Sequence, residues 1–313
     1  MNEIIRLHIF PRVSWTWDEF VAKTPKNSIA LDGMVKGGPR FDEETRHINF
    51  DHHDGVIREA TMSTAMQVFM AIKGGLMQSF RENGHPSANV YINDTDQDTT
   101  LAVWLLGKYH LFEGTQSYPL ISRLLFLEDK WDITGGAFPI SLSDNLVCQH
   151  AWIFYPYTCL RKSGKLASAD ENVLRDNIEA SIKRLDDYFI GKAGEEEIDI
   201  RHEILYDSAN FKIIKEIGGD ARQFLFGKGL NAFISLVTVR EDGRFVWSIG
   251  RRSKFIPFPV PQLYIDFNEA EGLTALNGWG GSDIVGGSSR EFGSKLMWEK
   301  LAEITEKRLK IIM

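Results

Sequence analysis

Apolar and polar positions alternate in blocks along the first half of the chain. Three short apolar runs end abruptly in acidic residues: Ser28 to Leu31 before Asp32, His47 to Phe50 before Asp51, and Asn89 to Ile92 before Asp94. Runs of this length bounded by polar turns read as strands, each delivering a carboxylate at its C-terminal end. The second is followed by Ala65, Val68, Phe69 and Ile72, and the third by Ala102, Leu105, Leu106 and Tyr109, both spaced as one helical face. Repetition of strand, acidic loop and helix predicts an α/β fold, a parallel sheet flanked by helices. Ligands of such folds bind beyond the carboxyl ends of the strands.

Further on, Leu174, Ile178, Ile182, Leu185 and Phe189 mark a long amphipathic helix with Asp170 and Glu171 at its start, where acidic side chains suit the helix dipole. It reads as a connector. Phe233 to Val239 and Arg244 to Gly250 alternate around Arg240-Glu241-Asp242-Gly243, a hairpin. Residues 278 to 290 read as a glycine-dense loop, and Lys295 to Lys310 as a closing helix. The expected division is an α/β domain over 1–165, a connecting helix over 166–195 and a smaller α+β domain over 196–313.

Composition narrows the class. The 313 residues are 43% hydrophobic and 25% charged, enough for a large core. A net charge of −7 gives no general attraction for long nucleic acid, so that partner is not expected. Cys148 and Cys159 build no disulfide framework and match no common zinc spacing, which leaves structural thiols. Glu3 and Arg6 interrupt the apolar stretch Ile4-Ile5-Leu7-Ile9, and no apolar run reaches membrane-spanning length. The expectation is a cytoplasmic protein with no membrane partner; a homodimer is left open.

The densest chemistry is Asn49-Phe50-Asp51-His52-His53-Asp54, two imidazoles and two carboxylates at a strand end. Imidazole with carboxylate suits Mn²⁺, Mg²⁺, Fe²⁺ or Zn²⁺. The plainer reading is a polar turn with surface histidines. Asp94-Thr95-Asp96-Gln97-Asp98 is a second acidic cluster before a helix starting near Thr99; Thr99 and Leu105 stand where an EF-hand needs glycine and glutamate. Its plainer reading is an N-cap by Asp98 beside solvated aspartates. Asp129 and Asp132 precede Gly135-Gly136, and either completes a metal site or ends a helix. Asp32, before Gly33, is similar.

With these residues in place, the chain resembles the DHH phosphoesterase superfamily. Asp51-His52-His53 matches the naming motif, and Asp32, twenty positions before His52, matches the family's single aspartate at the preceding strand end. The family's Asp-x-Asp motif is similar to Asp94-Thr95-Asp96 or Asp96-Gln97-Asp98, and its last aspartate to Asp132 or Asp129. The C-terminal half is similar to the associated substrate-binding domain, with Arg251, Arg252 and Ser253 after a hairpin and a glycine-rich loop near the end. Two departures stand out. The Asp-x-Asp motif follows the Asp-His-His run by about forty residues, where the family places it first, which implies a permuted strand order. The glycine loop carries Gly280-Gly281-Ser282 without the family's histidine.

The resemblance implies a phosphoesterase with two ions, Mn²⁺ or Mg²⁺, held by Asp32, His52, Asp94, Asp96 and Asp132, with Asp98 and Asp129 as competing ligands. It also implies that His53 faces the substrate phosphate and that Asp51 orients the histidines. Arg251, Arg252, Arg290 and the amides around Gly286-Gly287-Ser288 are candidates for gripping an anion, against a solvated basic edge and a plain loop. Trp279 either stacks on a base or fills the core. The expected substrate is small and phosphorylated: a nucleotide, dinucleotide or short oligonucleotide. The alternatives are a non-catalytic nucleotide-binding or regulatory protein on the same scaffold and a different metallohydrolase.

Overall fold

A computed structural model describes residues 4 to 312, apart from 275 and 290. It is a mixed α/β structure with parallel strands. The three apolar runs are strands, joined by an N-terminal strand and a short edge strand: β1 (Ile5–Ile9), β2 (Ser28–Leu31), β3 (Arg40–Asp42), β4 (His47–Phe50) and β5 (Ala88–Ile92). They form one sheet in the order β1-β5-β2-β4-β3, parallel except for β3. β2 and β5 are buried at every residue, as central parallel strands are.

Register decides where the chemistry goes. Leu31 lies opposite Phe50, and Ala30 opposite Tyr91, so the strands that lead to Asp32, Asp51 and Asp94 end nearly level with one another. Three carboxylates therefore leave one edge of the sheet together.

Helices α1 (Thr64–Lys73), α2 (Gln97–Gly107), α3 (Pro119–Ile133), α4 (Asn145–Ile153), α5 (Tyr155–Lys162) and α6 (Glu171–Phe189) belong to the same compact unit. Ala65, Val68 and Ile72 of α1, Leu101 to Leu106 of α2 and Leu174, Ile178 and Leu185 of α6 share one core with Ile29, Leu31, Val90 and Ile92. Two expectations change. The helical face traced through Tyr109 overruns α2, which ends at Gly107; α2 is buried along nearly its whole length, so a one-sided stripe understates it. The connector is corrected as well: α6, capped by Asp170 on the Val173 amide, packs its apolar face into the first unit's core. That unit runs to Gly136 and again from Ser143 to Glu197, well past residue 165.

The second unit takes Ala137–Leu142 and the chain from Ile198 onward. Its strands β6 (His202–Asp207), β7 (Lys212–Glu216), β8 (Ala232–Val239), β9 (Phe245–Arg251), β10 (Gly280–Gly281) and β11 (Val285–Gly287) form a sheet ordered β10-β11-β9-β8-β7-β6. Helix α7 (Ala221–Gly227) and the pair α8 (Val260–Glu271) and α9 (Trp298–Ile312) complete it. The expected hairpin is β8–β9, with Gly243 at φ +78 in its turn. The glycine-dense stretch is no plain loop: it supplies β10 and β11. A Cβ on Gly286 would sit 2.2 Å from the Tyr264 hydroxyl and 2.3 Å from the Gly280 carbonyl, so only glycine permits that approach. No helix among the described residues is long and apolar enough to cross a membrane.

Candidate metal centre

Asp32 leaves β2 in the left-handed conformation, φ +50, with Gly33 following at φ +77. Its amide donates to the Phe50 carbonyl at 2.9 Å, tying it to the end of β4. The Thr64 hydroxyl donates to Oδ1 at 3.1 Å and the Thr99 hydroxyl to Oδ2 at 3.0 Å. Asp51 and His52 follow β4 and are buried, while the His53 side chain is 43% exposed. Asp51 Oδ1 accepts the amides of His52 and His53 at 2.7 and 3.0 Å and lies 2.9 Å from His53 Nδ1, fixing that ring.

His52 stands at the middle. Its Nε2 lies 2.6 Å from Asp132 Oδ2, 3.4 Å from Asp32 Oδ1 and 3.7 Å from Asp98 Oδ2. Two groups thus bring ligand atoms within 4.8 Å of one another: Asp32, His52 and His53, and His52, Asp98 and Asp132. The short approach to Asp132 is not aligned as a hydrogen bond. His52 Nδ1, His52 Nε2 and Asp132 Oδ2 are all buried without a hydrogen-bonding partner among the described residues. Such atoms are costly in a folded protein, and a cation bound between them would satisfy the nitrogen and the carboxylate oxygen together. The donor set of oxygen and imidazole nitrogen fits a borderline or hard divalent ion.

Electrostatics agrees with that fit. Burial, together with the charges of Asp32 and Asp132, pushes Asp96 and Asp98 well above the usual carboxylate range; burial also raises Asp94. Burial opposes the His52 imidazolium, yet Asp132 and Asp32 outweigh it and hold His52 at about 10. For Asp32 burial is likewise outweighed, by His52 and His53, to about 2. A divalent cation bound among these carboxylates would relieve their mutual repulsion.

The expected residues separate by role. Asp96, and not Asp98, caps α2, accepting the Thr99 amide at 2.9 Å, and the helix starts at Gln97. Asp98 caps a different helix: its carboxylate accepts the α1 amides of Thr64 and Ala65 at 2.6 and 2.8 Å while reaching His52. Asp94 accepts the Thr95 amide and the Tyr157 hydroxyl, at 2.7 and 3.2 Å. Asp132, near the end of α3, joins the centre; Asp129, buried on the same helix, accepts the Ser63 amide and pairs with Lys130, both at 2.8 Å, outside both ligand groups. Gly135 and Gly136, at φ +61 and +82, end α3, so the helix terminus and the candidate ligand Asp132 coexist there.

Sequence reasoning missed the supports. Tyr157 of α5 holds Asp94, Asn177 of α6 meets the Thr95 hydroxyl, and a buried Glu128–His150 pair lies one helical turn before Asp132. No local spacing connects Tyr157 or Asn177 to the acidic loop; Glu128, four positions before Asp132, was visible as a same-face carboxylate.

In the second unit the anion-gripping candidates have other engagements. Arg251 donates to the carbonyls of Asp283 and Ile256. Gly286 and Gly287 sit in the ladder between β9 and β10, and the Ser288 amide donates to the Trp247 carbonyl. Arg252 keeps a half-buried side chain and donates its amide to the Asn231 carbonyl. Arg290 lies outside the described residues. Trp279 is 1% exposed against Phe267 and donates to Glu271, so it is a core residue and not a base-stacking platform. The thiols are free, Cys148 half-buried and Cys159 exposed, so burial does not explain Cys159.

No family model matches the chain, and no curated protein matches it in sequence.

Proposed function

We propose that this chain is a divalent-metal-dependent phosphoesterase of the DHH type acting on a small phosphorylated substrate. The observation that carries the reading is the convergence of Asp32, His52, Asp98 and Asp132, with buried His52 and Asp132 atoms that have no hydrogen-bonding partner among the described residues.

On this reading Asp32, His52, Asp98 and Asp132 hold the ions, with Asp94 and Asp96 beside them, and Mn²⁺ or Mg²⁺ is the proposed metal. When bound, a pair of such ions lowers the pKa of a coordinated water and neutralises charge on the phosphate. The Thr64 and Thr99 hydroxyls aim the Asp32 oxygens, and the Thr64 and Ala65 amides hold Asp98. His53, its Nδ1 against Asp51, is left with Nε2 to hydrogen-bond a phosphate oxygen from the exposed side. The net charge of −7 favours a nucleotide, dinucleotide or short oligonucleotide over a long strand.

The test is release of phosphate or nucleoside monophosphate from nucleotides, dinucleotides and pyrophosphate with added Mn²⁺ or Mg²⁺, for wild type and His52→Ala. Metal-dependent turnover lost in the variant is expected. Bound metal without turnover on any member of the panel would point to a regulatory protein, and absence of metal binding would remove the site and the resemblance together.

A further inference from the structure

The run that carries His52 begins beside a pocket that the mechanism does not use. β3 and β4 pair so that Phe41 lies opposite Ile48, and Phe50 shares that face two residues on. With Thr61, Met62 and Gln67 they line a pocket of about 480 Å³. Phe41, stacked on Phe80 with ring centroids 6.4 Å apart, is still 47% exposed, and Met62 is 41% exposed, a sizeable apolar surface. The volume is within the range of small-molecule sites, and the pocket is an open one, walled mainly by apolar side chains.

Two connections tie the pocket to the metal centre. Phe50 lines the pocket, and the next residue is Asp51. Gln67 donates through Nε2 to the Asp51 carbonyl at 3.0 Å and to the Met62 carbonyl at 2.7 Å. Both of its donor hydrogens are thereby engaged, and its carbonyl oxygen has no partner among the described residues. The loop that leaves His53 returns as the pocket wall at Thr61, pinned by the Thr61 hydroxyl on the Ile57 carbonyl at 3.0 Å.

We propose that this pocket is the base subsite of the phosphoesterase: a heteroaromatic nucleobase lies against Phe41 and Met62, and the Gln67 carbonyl accepts from its exocyclic amine. Aromatic side chains and thioether sulfur both favour such a ring, and its flat faces meet the Phe41–Ile48–Phe50 wall. The inference rests on the phosphoesterase reading, because the phosphate attached to that base is what reaches His52 and His53.

The experiment is titration calorimetry of the full chain, loaded with Mn²⁺, against AMP and against ribose 5-phosphate. Wild type is compared with Phe41→Ser and with Ala60→Trp, which fills the pocket from an exposed position. Both variants are expected to weaken AMP at least about tenfold, the scale of a lost base-stacking contact, while leaving ribose 5-phosphate and Mn²⁺ binding unchanged. Unchanged AMP affinity in both variants overturns the subsite, as does a concentration-dependent dimer of wild type that Phe41→Ser dissolves. If Mn²⁺ fails to bind but adenosine binding still needs Phe41, the pocket stands and the phosphoesterase reading falls. If Mn²⁺-dependent turnover of AMP is indifferent to both variants, the reverse holds.

Discussion

Residues 51–53 and the glycine-rich stretch at 278–289 both read as functional from composition, and the structure treats them oppositely. Around His52 the protein gathers buried polar atoms and leaves three of them without a hydrogen-bonding partner among the described residues. In the glycine stretch backbone groups are spent: Gly286 and Gly287 are paired into the sheet, the Ser288 amide meets Trp247, and the Tyr264 hydroxyl closes on the Ser282 carbonyl at 3.0 Å. What distinguishes a candidate centre from a structural ribbon is therefore unspent bonding capacity, not residue type. Buried donors and acceptors without a hydrogen-bonding partner call for an explanation, and at His52 a bound cation would supply it.

The contrast can be broken by variants that should fail in different ways. The largest expected effect is His52→Ala, which removes the side chain common to both candidate groups: Mn²⁺ affinity should fall by more than about 100-fold, beyond the loss from removing a supporting residue. Equilibrium dialysis with metal analysis reads it, and the second unit's stability should not move. Gly286→Val should do the reverse, costing at least about 3 kcal/mol in denaturant unfolding by driving a side chain into Tyr264 and Gly280, with Mn²⁺ affinity retained if the protein is assayed below its midpoint. Equal metal loss in both would erase the distinction.

Tyr157→Phe is a smaller and sharper probe. It removes one hydrogen bond to Asp94 from a buried position, and about tenfold weaker Mn²⁺ binding is expected with little change in thermal midpoint. The smallest effect is a pH dependence of the metal-free protein. His52, raised from 6.5 to about 10, contributes stability that is complete below pH 6.5 and lost as pH climbs to about 10. Asp32, lowered from 3.8 to about 2, contributes stability present above pH 3.8 and lost as pH falls to about 2. Asp96 and Asp98, raised, oppose folding once ionised. Thermal scans in EDTA should thus decline from pH 6.5 to 10, and saturating Mn²⁺ should abolish that decline, because a bound ion needs the imidazole neutral.

Much of this was legible in the chain. The strand runs ending at Leu31, Phe50 and Ile92 and the acids after them follow directly from period and composition, because parallel central strands are apolar throughout. Choosing between Asp129 and Asp132 was not possible: three positions apart on one helix, they differ only in what packs opposite, Ser63 for one and His52 for the other. Asp96 and Asp98 traded roles for the same reason, since a cap on a neighbouring helix leaves no mark in local spacing. The glycine run misled because glycine serves close backbone packing as well as loops. Tyr157, Asn177 and His150 lie far along the chain from the residues they support.

One detail of Asp32 separates charge from conformation. Left-handed backbone is tolerated by aspartate, asparagine and glycine and strains most other residues. The substitution Asp32→Asn would keep the turn out of β2 and the shape of the side chain while deleting its negative charge. An alanine or glutamate there would alter the path of the chain as well, and could not tell a lost ligand from a displaced strand end.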